Sequence, residues 1–230
     1  MHPQLKTSLL PVDLGEIPHL VKIHQAAFES DRFSNLMLLG RDPDAFKGLL
    51  LKSIETWMED PNAQLIKAVA EDGDIVGYAC WVTEDAPEVK QPTTKPESGL
   101  DTAVEQRKLL PQDLGKLMRK DLVARKRELL GNERHMVLQA LITDPQWQKM
   151  GVGARLVQWG TSKADVEGLS CWAHASPSGY GVYLRAGFED LGMSEYDLDQ
   201  YLPENEQGKS EWGVYTFRYM VRRYETGKVQ

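Results

Sequence analysis

The chain has little of what marks several large protein classes. Its 230 residues include only two cysteines, Cys80 and Cys171, too few for a disulfide framework or a cysteine metal site. Both lie in apolar, strand-like runs, where the plain reading is a small buried hydrophobe. No apolar stretch reaches the roughly 20 residues that a membrane-spanning helix needs. Residues 1–6 lack the basic and apolar regions of a signal peptide. The net charge of −7 counts against a general nucleic-acid binder. These absences lead us to expect a soluble, cytoplasmic protein, monomer or homodimer, with no metal, membrane or nucleic acid as partner.

What is present is concentrated in one stretch. Residues 135–144 read as a strand, and residues 151–167 carry a helical pattern. Between and into them run Gln148, Lys149, Met150, Gly151, Val152, Gly153 and Ala154. Glycines let a backbone approach a ligand without Cβ interference. The start of a helix adds unpaired N–H groups and the positive end of a dipole. Together these suit a pyrophosphate. A Walker loop is excluded, because Ala154 and Arg155 stand where its Lys and Ser or Thr belong. The dinucleotide fingerprint is excluded by Leu156, at the place of its third small residue. The bland alternative is a helix start that merely tolerates two glycines.

The downstream residues weigh against the bland reading. Residues 169–175 read as a short apolar strand. Ser176, Pro177, Ser178 and Gly179 make a turn, and a short helix follows to about Ala186. It closes on Tyr183, Leu184, Arg185, Ala186, Gly187 and Phe188. The order strand, Gln-x-x-Gly-x-Gly, helix, strand, short helix, Tyr-x-x-x-Gly-Phe resembles the GNAT acetyltransferase family. The resemblance is strongest over residues 135–190. Pro145 and Trp147 sit where family members often carry a proline and an aromatic. It implies an α/β GNAT fold: a single mixed, mostly antiparallel central sheet with splayed central strands, flanked by helices. Residues 1–230 are expected to form one domain.

The flanks can be read around that centre. Residues 5–12 suit a first strand, and Asp13 can cap a helix running to about Phe28. Asp42 and Pro43 start another helix. Residues 29–41 between them, with Phe33, Leu36, Met37 and Leu38, read as an apolar loop. It either packs in the core or, as the resemblance implies, walls the acceptor site. Residues 63–71 and 75–83 read as strands joined by a turn at Asp72, Gly73 and Asp74. Residues 86–134 form a helical insertion between the third and fourth strands. Its parts are an irregular stretch at 86–99, a helix at 101–110 and another to about Leu130 with Leu114, Leu117, Met118 and Leu122 on one stripe. The insertion holds eleven Lys and Arg against eight Asp and Glu, a balance of +3 that leaves −10 elsewhere. Helix 151–167 should face the sheet with Gly153, Leu156, Val157, Gly160 and Ala164. Residues 189–198 and 212–224 read as strands. Between and around them, Glu195, Asp197, Asp199, Glu204, Glu206 and Glu211 form either a solvated loop or an acidic rim that attracts an amine.

The resemblance also implies chemistry, carried over residue by residue. It implies transfer of an acetyl group from acetyl-CoA to a primary amine, most simply that of a small molecule. The loop from Gln148 to Ala154 would hold the pyrophosphate. Backbone at Leu141, Ile142 and Thr143 would bond the pantetheine, and an N–H from that strand would stabilise a developing oxyanion. Ser176 falls where the family often has Asn. Tyr183 stands where many members place the acid that protonates the departing thiolate, with Tyr180 one turn earlier as the other choice. Tyr183 packing structurally beside Phe188 is the bland alternative. The general base is left open between His135, His174 and a water chain. Strict alternation would put His135, Val137, Gln139, Leu141 and Thr143 on one face. Phe28, Phe33 and Gln139 are the expected acceptor contacts. Competing functions are a protein acetyltransferase for lysine or an N-terminus, and a non-catalytic acyl-CoA-binding module.

Overall fold

The structure is a computed structural model and describes residues 7–85, 109–208 and 211–224. Seven strands form one sheet: β1 (Ser8–Pro11), β2 (Ala63–Val69), β3 (Ile75–Glu84), β4 (His135–Thr143), β5 (Ser170–Ala175), β6 (Glu189–Asp197) and β7 (Val214–Arg222). Their spatial order is β1-β2-β3-β4-β5-β7-β6. Every neighbouring pair is antiparallel except β4–β5, which is parallel. The mixed, mostly antiparallel sheet implied by the resemblance is therefore present. Helices α1 (Ile17–Phe28), α2 (Arg32–Leu38), α3 (Pro43–Glu59) and α4 (Pro111–Leu130) cover one face. Helices α5 (Val152–Glu167) and α6 (Pro177–Arg185) cover the other.

Local chemistry fixes most boundaries. The Asp13 N–H donates to the Glu16 carboxylate at 2.8 Å, closing a short turn that leads into α1. Buried Lys67 ties that turn to β2 through Asp13 and Glu16. Gly73, at φ +93°, makes the β2–β3 hairpin. Leu156, Val157, Gly160 and Ala164 of α5 are all buried against the sheet, as their spacing requires. At Gly160 the approach is so close that a Cβ would lie 2.0 Å from the Trp81 ring. Cys80 and Cys171 are free and buried, and burial pushes both thiols up to about 12.

Three expectations are corrected. Residues 29–41 are not a loop throughout, because α2 forms inside them. The Asp31 carboxylate caps it by accepting the Ser34 N–H at 2.8 Å, and Leu36 is fully buried beside Leu114. Alternation along β4 breaks at Gln139. Trp81 pairs with Leu138 and Cys80 with Ala140, so Gln139 is an extra, bulged residue. Met136, Leu138 and Leu141 therefore face α5, whereas Val137, Ala140 and Ile142 face the other way. His135 and Val137 do not share a face with Leu141. Finally, the α4 stripe omits Leu117, which is exposed; Leu114, Met118 and Leu122 face inward. α4 does lie between the third and fourth strands. The helix expected at 101–110 falls outside the described residues except for Leu109 and Leu110, which are not helical.

Candidate active site

β4 and β5 pair only from His135 and Ser170 to Leu138 and Ala173. Beyond that rung they part. Residues 140–143 of β4 keep β3 on one side, from Ala140 opposite Cys80 to Thr143 opposite Gly77. On the other side their edge has no strand partner; the Asp144 N–H bonds the Val76 carbonyl of β3, so by alternation it is Leu141 and Thr143, and not Ile142, whose backbone groups face the open edge. The splay thus opens toward the C-terminal end of β4.

The glycine loop begins where β4 ends. The Asp144 carboxylate accepts the Gln146 N–H at 2.9 Å, and Gln148 Nε2 donates back to the Thr143 carbonyl at 3.3 Å. Lys149 (φ +61°) and Gly151 (φ +93°) then turn the chain into α5. Lys149 is the only non-glycine at positive φ among the described residues, which marks the loop as locally strained. The Arg155 N–H closes onto the Gly151 carbonyl at 3.1 Å. The N–H groups just before it lie too early in the helix to find intrahelical acceptors. A Cβ at Gly151 would meet nothing within 4 Å, so the loop faces open space. Met150 and Ala154 are exposed, whereas Val152 is buried and anchors the helix start.

On α6, Tyr183 is buried in the α5-side core, with its ring 5.8 Å from Phe188. Burial pushes its phenol well above the ordinary range, so the hydroxyl keeps its proton at neutral pH. Tyr180 is committed elsewhere. Its hydroxyl donates to Asp190 at 3.1 Å, and Arg218 donates to the same oxygen at 2.6 Å while lying over the Tyr180 ring. Ser176, immediately before α6, shares a hydrogen bond with Ser178 at 3.0 Å.

The two candidate histidines part company. His135 starts β4, about 26 Å along the strand from Thr143 at ordinary strand rise. Its Nδ1 meets the Glu133 carbonyl at 2.7 Å, and its Nε2 lies 3.5 Å from Glu84, which Lys126 also holds. The His135 and Lys126 hydrogen bonds bring the Glu84 carboxyl down to about 2. This network lies at the end of β4 away from the glycine loop. His174 instead stands on β5 one residue past the last β4–β5 pair. Its ring stacks on Phe217 at 4.4 Å and Tyr219 at 5.4 Å. Burial lowers its pKa to about 4.

The face on the α1–α3 side holds a concavity of about 450 Å³. Phe28, Glu29, Asn35, Leu38, Asp42 and Phe46 line it, with Arg41. Phe28 stacks on His24 at 5.0 Å, and His24 Nδ1 shares a hydrogen bond of 2.7 Å with the Tyr78 hydroxyl. Tyr78 pairs with Ile142 on the open segment of β4. Phe28 therefore lies on the α1 side of that segment, while Phe33 sits against Tyr215 and Phe217. Gln139 is exposed on the bulge. Asp31 was missed: its second oxygen accepts the Tyr215 hydroxyl at 2.5 Å, while Arg32 donates to the Trp212 and Val214 carbonyls. These contacts lock α2 across to β7. The cap pattern of Asp31 before Phe33, Leu36 and Met37 was the available signal. Two members of the acidic run serve structure. Asp199 accepts the Trp212 and Gly213 N–H groups, and Asp197 accepts the Asp199 N–H.

Residues 26–188 match the family model described as acetyltransferase (GNAT) family. The chain belongs to the GNAT acetyltransferase family. The matched span runs from the end of α1 through the glycine loop to Phe188. No match is found among curated protein sequences. Among solved structures the fold is similar to arylalkylamine N-acetyltransferase 2 from Aedes aegypti, with TM-score 0.64 and 16% identity, covering 96% of this chain and 100% of that one. It is also similar to the Drosophila melanogaster polyamine N-acetyltransferase that forms N-acetylagmatine (0.59, 15%, covering 94% and 99%). A third is a Corynebacterium glutamicum structure described as histone acetyltransferase HPA2 and related acetyltransferase (0.56, 18%, covering 98% and 100%). At such identities the likeness is one of fold.

The GNAT donor, acetyl-CoA, brings a pyrophosphate and an extended amide arm. The residues present fit both. A loop with Gly151 facing open space suits the first, and a strand edge without a partner suits the second.

Proposed function

We propose that this GNAT-type N-acetyltransferase moves an acetyl group from acetyl-CoA to the primary amine of a small molecule. The observation that carries the reading is the coincidence of two features: β4 loses its β5 partner after Leu138, and the same strand runs directly into the glycine loop. Backbone N–H groups from Lys149 to Ala154 would hold the pyrophosphate, beside Gln148. Leu141 and Thr143 would hold the amide arm, and Ser176 would meet the cofactor at the adjoining corner. Bound acetyl-CoA supplies the acetyl group as an activated thioester. Tyr183 keeps a proton on its hydroxyl oxygen for the departing sulfur. Tyr180 does not compete for that role, since its hydroxyl already bonds Asp190.

A small acceptor is supported by the size of the concavity and by the α2–β7 ties that narrow the acceptor side. Phe28, Leu38 and Phe46 offer apolar walls, and Glu29 and Asp42 outnumber Arg41 at the rim. That lining suits an aryl or alkyl group carrying a protonated amine. The arylalkylamine and polyamine enzymes on the same fold agree with it. The amine must shed its proton before it attacks, so the rate should rise with pH. The test is thiol release from acetyl-CoA across arylalkylamines, agmatine, polyamines, amino acids and histone peptides. Release with small amines is expected. Release with peptides alone would move the activity to proteins, and acetyl-CoA binding with no release to any acceptor would leave only a binding module.

A further inference from the structure

Among the described residues, only two buried side-chain polar atoms have no hydrogen bond, His135 Nε2 and His174 Nε2. The first is answered by Glu84 at 3.5 Å. The second has no such neighbour. The hydroxyl of Tyr219, whose ring stacks on the imidazole, already bonds Ser194. Phe217, stacked on the ring, has none to offer. Buried polar atoms are nearly always paired, so an orphan calls for a partner from outside the chain.

The place of His174 says which partner. Parallel register continues from Leu138 opposite Ala173 to a rung that carries Gln139 and His174, and this is the first rung that the splay leaves open. Trp172 lies on the face opposite Cys171 and Ala173, and His174 shares that face with it. It is the α2 and α4 side, away from α5 and the glycine loop. A cofactor held by that loop would reach the splay from one face, and His174 waits on the other.

We infer that His174 positions the acceptor: its Nε2 accepts a hydrogen bond from the amine N–H at the mouth of the splay. The inference rests on the acetyl transfer proposed above. The buried imidazole stays neutral at physiological pH, so its lone pair is available to an uncharged amine. For the same reason it is a poor proton acceptor, and the role is one of orientation. α2 lies over this face, with Phe33 edge-on to Phe217 at 5.0 Å.

Three variants test it. His174→Phe keeps the stack and removes the nitrogens. His174→Gln restores a polar group near the Nε2 position, and His174→Leu removes both ring and polarity. Steady-state kinetics with the best amine, calorimetric CoA titration and thermal melting are read on each. The expected result for His174→Phe is an unchanged or raised melting temperature, unchanged CoA affinity and a KM for the amine raised about tenfold or more. His174→Gln should recover part of that loss. If His174→Phe does not fold, His174→Gln against His174→Leu carries the same contrast. A purely packing histidine, or one that holds only a trapped water, predicts that His174→Phe keeps the wild-type KM, and that result overturns the proposal. So does an equal KM loss in the Gln and Leu variants. A wild-type chain that binds CoA but acetylates no amine overturns the underlying function instead, and this inference with it.

Discussion

Gly160→Ala is the most direct test of how the site is held. The added Cβ would lie 2.0 Å from Trp81 Cε2 and 2.4 Å from Cδ2 and Nε1, where anything under 3.0 Å forces a shift. Trp81 is fully buried on β3 and its indole N–H reaches the Leu156 carbonyl at 3.4 Å, so it has little room to yield. Overpacking of this kind costs about 1–3 kcal/mol, and a rigid aromatic neighbour puts it at the upper end. Alanine returns about 1 kcal/mol of helix propensity. The net loss of about 2 kcal/mol corresponds to roughly 4–8 °C in Tm for a chain of this length. Function should suffer too, because α5 carries the glycine loop at one end and would be levered off β3 and β4. CoA affinity measured by calorimetry should fall several-fold. Trp81→Ala in the Gly160→Ala background removes the ring that the new Cβ meets, so the pair should be less destabilised than the sum of the two single changes. A Gly160→Ala protein that melts and binds CoA like wild type would refute the reasoning.

Other expectations follow from the same structure. Gly151→Asp places a side chain at φ +93° and a carboxylate at the anion site, so CoA binding should be lost or greatly weakened in a folded protein; unchanged affinity by titration would remove the loop from the cofactor site. Tyr183→Phe should lower kcat on the order of 10²-fold with CoA affinity little changed, and full activity in that variant alongside a dead Tyr180→Phe would move the acid by one turn. Stability should fall between about pH 6.5 and pH 4. His24 and His174 both have pKa values lowered by burial to about 4 from 6.5, so in that window the unfolded chain binds protons that the folded chain does not. Stability therefore rises with pH through the window, and His174→Phe should flatten the slope of Tm against pH. A slope unaltered by that substitution would show that His174 titrates normally.

How much of this was legible in the sequence depends on the kind of interaction involved. The run from β4 to α6 was readable because its signals are local: a strand, two glycines, a helix stripe, a proline turn. The misplaced parts are those decided by distant neighbours. Asp31 offers a cap, but whether α2 forms rests on Leu36 finding Leu114 nearly eighty residues on. By composition the acidic run read as either a solvated loop or an acidic rim. Asp197 and Asp199 turn inward because the backbone of the β6–β7 connection needs acceptors, which charge counts do not reveal. His135 and His174 were equal candidates on paper, and only the direction of the splay separates them.

The bulge at Gln139 shows the cost and the use of the same hidden feature. One extra residue reverses which side chains of β4 face α5 from that point on. Without it, Leu141 and Thr143 would point toward α1, and Ile142 would meet the glycine helix instead. With it, a Cβ on Gly153 would make ordinary contact with Thr143 Oγ1 at 3.5 Å and Leu141 at 3.8 Å, so the start of α5 rests on this end of the strand. Gln148 then ties the loop back to the Thr143 carbonyl. The bulge also sits on the rung where β4 and β5 cease to pair. A single inserted residue thus marks where the sheet opens and turns the seat of the loop toward that opening, at the end of β4 away from His135.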